Sequence, residues 1–137
     1  MFWFDKSNQN AVFCDKRKEH HDLSYPSGEF HIDVAPNVIS DFTALPFLSN
    51  HFRVVVFDPP HLKKVSVKSW TYKKYGALGD EWISILRGGF SECFRVLAPA
   101  GTLIFKWSSI HIPISEVLKL TPALPLFGHP SGKNGLT

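Results

Sequence analysis

The apolar residues of this chain fall into short runs divided by charge and proline, followed by one longer stretch with helical spacing. Ala11-Val12-Phe13-Cys14 is a brief apolar run ended by Asp15-Lys16-Arg17-Lys18-Glu19. It reads as a strand with a charged carboxyl end. Residues 30–34 form a second candidate strand. Residues 37–42 either extend it or form a turn, and Ala44-Leu45-Pro46-Phe47 then closes into a loop. The third strand, residues 53–57, is short, β-branched and continuous rather than alternating, which is the pattern of a strand covered on both faces. Pro59 and Pro60 lack the N–H that a ladder needs, so pairing ends there.

Asp80 suits an N-cap and Glu81 is favourable in a first helical turn. From there Trp82, Leu86, Phe90, Cys93 and Leu97 follow at helical steps, the stripe of an amphipathic helix. Gly88-Gly89 weakens that helix by about 1 kcal/mol per glycine relative to alanine and admits a kink. Pro99-Ala100-Gly101 ends it, and residues 102–107 form a further strand. A short helix over residues 114–120 comes next, then Pro122 and Pro125 around a brief apolar run, and residues 128–137 read as irregular. This alternation predicts an α/β fold with a mostly parallel sheet, flanking helices and right-handed crossovers. The 137 residues leave room for a single domain, 1–137, with one core.

Composition changes this picture little. A 44% hydrophobic and 20% charged chain is ordinary for a soluble globular protein. A formal charge of +3 suits a polyanionic partner without requiring one. Met1-Phe2-Trp3-Phe4 runs at once into Asp5 and Lys6, so it is neither a signal peptide nor a membrane span, and a cytoplasmic location follows by default. Cys14 and Cys93 stand at unrelated positions and read as reduced core thiols. The histidines at 20, 21, 31, 51, 111 and 129 show no ligand spacing, and no metal is expected.

The chemistry concentrates at Asp58-Pro59-Pro60-His61. Where pairing stops, the carboxylate and nearby carbonyls become acceptors at the carboxyl edge of a sheet, where open α/β sheets bind ligands. The exocyclic amine of adenine or cytosine is a poor nucleophile, because its lone pair is delocalised into the ring. Two acceptors that bond both amine hydrogens would draw the nitrogen toward tetrahedral geometry and aim the lone pair at an electrophilic methyl. That is positioning and electrostatics, with little need for a strong base. A flat fourth residue gives an extruded base a face to stack on. The alternative is a strand, a Pro-Pro turn and an incidental histidine. Between His61 and Asp80, lysines 63, 64, 68, 73 and 74 interleave with Trp70, Tyr72 and Tyr75. These residues either grip phosphates and stack bases or form a solvated loop whose rings dock on the core.

Several landmarks occur in order: Asp15 after one strand, Asp41-Phe42 after the next, Asp58-Pro59-Pro60-His61 after the third, and Leu97-Ala98-Pro99-Ala100-Gly101-Thr102-Leu103 before the fourth. Together they resemble a class I S-adenosylmethionine-dependent methyltransferase. Met1-Phe2-Trp3-Phe4-Asp5-Lys6, Phe57-Asp58-Pro59-Pro60-His61-Leu62, Lys74-Tyr75-Gly76 and Ile104-Phe105-Lys106-Trp107 are more closely similar to small phage and bacterial proteins described as amino-methylating enzymes of the DNA adenine type. The resemblance implies a Rossmann-like fold, S-adenosylmethionine as cofactor and a nucleic acid, DNA before RNA, as partner. Asp15 would accept from the ribose hydroxyls of the cofactor and Asp41 from its adenine amine, with Phe42 supplying a backbone or packing contact. Asp58 and the Pro59 carbonyl, followed by Pro60, would hold the target amine, and His61 would stack on the target base. Each residue has a plainer reading too: Asp15 as a solvated strand end, Asp41 as a turn cap, His61 as a loop histidine. Lys106 and Trp107 read as strand-end and core residues.

The chain departs from that family in three places. The family pattern more often has Tyr, Phe or Trp at the position of His61. No glycine precedes residue 28, so the turn that lets backbone approach the methionine part of the cofactor is missing. Residues 2–6 read as the remnant of a first helix, and the last strand is absent, so the domain is expected to be truncated at both ends. Unpaired edges, uncovered apolar faces and self-association to cover them would follow, together with weak cofactor binding and little turnover. A catalytically silent module with residual nucleic-acid or partner binding is the alternative function. Methylation of RNA or of a small molecule is a third.

Overall fold

The structure, a computed structural model, describes residues 3–128. Its strands are β1 (Cys14–Asp15), β2 (Glu19–Tyr25), β3 (Gly28–Val34), β4 (Val38–Ile39), β5 (Phe52–Phe57) and β6 (Leu97–Phe105). Its helices are α1 (Trp70–Tyr75), α2 (Trp82–Val96) and α3 (Ile114–Val117), the last running into a 3-10 turn at Leu118–Leu120. The strands form three pairs rather than one sheet. β1 lies parallel to β4, β5 lies parallel to β6, and β2 and β3 make an antiparallel hairpin. The molecule is thus a mixed α/β protein with small parallel sheets. Among the described residues no helix is long and apolar enough to cross a membrane.

The hydrophobic interior is built by β5, α2 and β6. Leu86, Phe90, Cys93 and Val96 fall on one stripe of α2 and are buried against Phe57 at the end of β5, and Val117 of α3 closes the same cluster. Burying a Leu or Phe contributes about 1.5–3 kcal/mol, so this stripe dominates the stability of the fold. Gly88-Gly89 introduces no break, since α2 is continuous over both. Gly89 is there because an added Cβ would stand 2.6 Å from Phe57 Cζ and 2.7 Å from Phe42 Cδ2, leaving room for hydrogen only.

Several expectations need correction. Glu81, not Asp80, occupies the N-cap position of α2, without a side-chain cap bond. The Asp80 carboxylate is drawn instead to Lys64 at 3.0 Å and Lys63 at 3.8 Å. Leu97 lies in β6, and Val96 takes the buried place at the end of the helix. Pro99-Ala100-Gly101 sits inside β6 as an irregularity of register between Phe52 and Val54, with Ala100 at φ 61°. Cys14 is exposed, whereas Cys93 is buried. Residues 3–6 carry no helix. Met1, Phe2, His129 and the rest of the tail lie outside the described residues.

The hairpin was not expected, and its two faces explain it. Leu23, Phe30, Ile32 and Val34 share one face with His21, while His20, Asp22, His31 and Asp33 share the other, as the two-residue period of a strand requires. Pro26 fixes the first turn residue, and Gly28 takes φ 127° at the closing pair opposite Tyr25. Apolar side chains on or beside the other strands are uncovered: Val12, Ile39, Val54 and Ile104 are all exposed.

Candidate functional site

Both parallel pairs end on the same side of the molecule. Phe42, just after β4, meets Phe57, the last residue of β5, with ring centroids 5.3 Å apart. Arg17, just after β1, donates to the carbonyls of Tyr72 and Lys73 at 3.3 and 3.0 Å. It also reaches Gly76, whose missing Cβ would stand 3.9 Å from Arg17 Cζ and 3.6 Å from Pro60 Cγ. The carboxyl ends of β1, β4, β5 and β6 therefore share one edge, the location at which open α/β proteins bind ligands.

At this edge the Asp58 carboxylate lies beside Lys106, whose ammonium donates to both of its oxygens at 3.1 and 2.9 Å. Register dictates the pairing. Phe57 is opposite Phe105 in the parallel ladder, and the Lys106 N–H bonds the Phe57 carbonyl at 3.0 Å, so the next residue of each strand falls side by side. Lys106 is thus a site residue where the sequence predicts a strand end, and only the parallel register of β5 against β6 reveals it. Trp107, by contrast, behaves as a core residue: its indole N–H donates to the Ile112 carbonyl at 2.9 Å, and its ring stacks on Phe105 at 5.8 Å.

Pro59 is buried, Pro60 is half-buried, and His61 is half-buried with its ring 6.1 Å from that of Tyr75. Burial holds the imidazole below its ordinary pKa; Asp58 pulls it up, while Lys106 and His111 push it further down. The ring is therefore a neutral, flat surface at neutral pH.

The other two carboxylates have local partners. Asp15 accepts from the Arg17 backbone N–H at 2.9 Å and from its guanidinium at 3.2 Å on each oxygen. Asp41 Oδ1 accepts from the backbone N–H and the hydroxyl of Thr43 at 2.9 and 2.7 Å. Those bonds, the backbone one first, hold the Asp41 carboxyl below its ordinary pKa, helped by Lys16. Asp15, Asp41 and Asp58 share the edge, but among the described residues no hydrogen bond or ion pair joins them to one another.

The basic aromatic stretch contains α1, where the sequence predicts a loop. Ser69 caps it by accepting from the Tyr72 N–H, and Lys74 Nζ lies 5.3 to 5.9 Å from the ring centroids of Tyr75, Trp70 and Phe30. An open hollow beside it is lined by Tyr25, Phe30 and Trp70, together with the turn residues Ser27 to Glu29. The hollow does not include Asp58 or His61.

Compared with known proteins, the chain matches no family model, no curated protein and no solved structure.

Proposed function

We propose that this edge belongs to an S-adenosylmethionine-dependent methyltransferase acting on an exocyclic amino group of a nucleobase, adenine in DNA first. The observation that carries the reading is the placement of Asp58-Pro59-Pro60-His61 directly after a parallel strand, with Lys106 beside the carboxylate and a neutral ring three residues on. On this reading the two parallel pairs are parts of one Rossmann-like layer, and the Phe42–Phe57 contact that ties their ends together supports it.

The residues fit one half of such a cofactor. Asp15 and Asp41 end parallel strands, where a carboxylate suits the ribose diol and the adenine amine respectively. Asp15 would have to release its guanidinium bonds to do so. Among the described residues no glycine turn faces the methionine half; Gly28 closes the hairpin turn instead. When bound, S-adenosylmethionine would supply an electrophilic methyl group. The chain's own work is to present the amine. An ionised carboxylate offers about four lone-pair sites, so Asp58 can accept from an amine while Lys106 keeps two of them. With the Pro59 carbonyl as second acceptor, both amine hydrogens are held and the nitrogen lone pair is aimed. His61 stacks on the base, and the nearby Tyr75 ring extends that platform.

Calorimetric titration with S-adenosylmethionine, alongside transfer of a labelled methyl group to unmethylated DNA, tests this. Weak, saturable binding lost in Asp15→Ala, with slow transfer lost in Asp58→Ala, is expected. Absence of binding at millimolar cofactor would overturn it.

A second reading, a catalytically silent module that retains nucleic-acid binding, is favoured by one observation: all three carboxylates already have partners of their own. Exposed Trp70 with Phe30, Tyr25 and Lys74 would then carry the contact by base stacking and charge. DNA affinity that survives without any cofactor binding, and falls in Trp70→Ala, would support it.

A further inference from the structure

The polar face of the β2–β3 hairpin carries the motif His-x-Asp twice, as His20-His21-Asp22 and His31-Ile32-Asp33. Strand period places all four polar side chains on one face, and antiparallel register sets His20 opposite Asp33 and Asp22 opposite His31. The result is more convergent than two cross-strand charge pairs. His20 Nε2 and His31 Nδ1 both approach the same oxygen, Asp22 Oδ1, at 3.0 and 2.5 Å. The two imidazoles lie nearly parallel, with centroids 6.2 Å apart and an interplanar angle of 20°. One ligand atom from each of His20, Asp22 and His31 falls within 4.8 Å of the others.

We propose that this face is a binding site for a divalent transition-metal ion, Zn²⁺ first, held by His20 Nε2, His31 Nδ1 and the Asp22 carboxylate. Imidazole and carboxylate are the donors that suit such ions, and a tetrahedral ion needs three protein ligands and one water. These side chains are exposed, so water has access to the remaining position. Asp33 is the positioning residue. Its carboxylate lies 2.5 Å from His20 Nδ1, which keeps a proton on that nitrogen and reserves Nε2 as the one that gives up its proton to an ion. In the metal-free protein, ring protons bridge the nitrogens to the shared oxygen; binding displaces them and puts the ion there instead.

Cross-strand ion pairing uses both carboxylates, His20 with Asp33 and His31 with Asp22, but it does not require both rings to converge on one oxygen of Asp22. Two neutral imidazoles and the Asp22 carboxylate form a donor set of complementary charge for a dication. The consequence for the fold is local. A two-stranded hairpin is marginal by itself. A cross-strand ion would hold β2 to β3 and so steady the turn whose Tyr25 and Phe30 line the aromatic hollow beside Trp70.

The test is titration of the chelator-treated full chain with Zn²⁺ by calorimetry, with Co²⁺ as a spectroscopic probe. One saturable site is expected, with visible Co²⁺ absorption of a tetrahedral or five-coordinate ion. His31→Ala or Asp22→Asn should abolish both signals. Asp33→Asn should weaken affinity by about 10-fold or more while keeping the Co²⁺ spectrum, as loss of an orienting partner does. Cys14→Ser and His51→Ala should leave both signals unchanged. Circular dichroism confirms that each variant is folded, and exposed positions keep that risk small. Lack of saturable binding, binding that survives His31→Ala and Asp22→Asn, or binding lost with Cys14→Ser or His51→Ala would each overturn the assignment.

Discussion

Two regions of this protein share an edge but not a core. The β5–α2–β6 unit buries Phe57, Leu86, Phe90, Cys93 and Val96, whereas across β1 to β4 only Ile32 is buried among the hydrophobics. Asp58 and Lys106 therefore stand on a rigid support, and Asp15 and Asp41 on a thin one held by Arg17, Thr43 and the Phe42 ring. On the proposed reading, the firm side would position a target amine and the soft side would have to organise the cofactor.

The largest effect that probes this contrast is core truncation. Phe90→Ala should cost about 3–5 kcal/mol of folding free energy, whereas Val12→Ala, half-exposed beside β1, should cost about 0.5 kcal/mol. Denaturant unfolding of both variants checks the pair, and equal losses would erase the distinction. The seam between the regions is next. Gly89→Ala should destabilise by about 1–3 kcal/mol, because the clash with Phe57 and Phe42 outweighs the gain in helix propensity. Gly88→Ala, whose Cβ would meet Thr43 at 3.4 Å, should be near neutral in the same assay.

A smaller effect follows from charge. Glu92 accepts from Arg95 at 2.6 and 2.8 Å and from the Leu45 N–H at 2.8 Å. These bonds, Arg95 first, hold its carboxyl below the ordinary value. A carboxyl depressed in the folded state contributes stability that is fully present above its unfolded pKa and is lost as pH falls through the folded one. Melting temperature should therefore fall as the solution is acidified below about pH 4, and Glu92→Gln should flatten that part of the curve. The smallest effect is chemical. Burial pushes the Cys93 thiol up to about 12, whereas Cys14 is exposed, so a thiol reagent should label Cys14 in the native protein and Cys93 only after unfolding. Fast native labelling of Cys93 would mean that the core opens readily.

Where the sequence was legible, one segment carried its own signal. The run at residues 53–57 and the stripe Leu86, Phe90, Cys93 need no partner to be recognised as strand and helix, and both elements formed, although exposed Val54 shows that the strand is not covered on both faces as its apolar run predicts. β2 was opaque because Glu19 to Tyr25 offers alternating His and Asp instead of apolar residues, and its strand character depends on pairing with β3. Asp80 looked like a cap, but Lys63 and Lys64, distant in sequence, compete for it. Lys106 was invisible as a site residue for the same reason: its role exists only through the register of β6 against β5. The motif at residues 58–61 was legible as a break in pairing. The partners already engaged by Asp15, Asp41 and Asp58 were not, since the first two bonds depend on how a turn closes and the third on strand register.

The most direct test of the central claim is a titration of isotope-labelled chain with S-adenosylmethionine, followed by backbone amide shifts. The account predicts saturable shifts confined to residues 15–17, 41–43 and 57–61 and the adjoining Lys106, abolished by Asp15→Ala. Shifts absent from all four of these places at saturating cofactor, or centred on the hairpin instead, would contradict it.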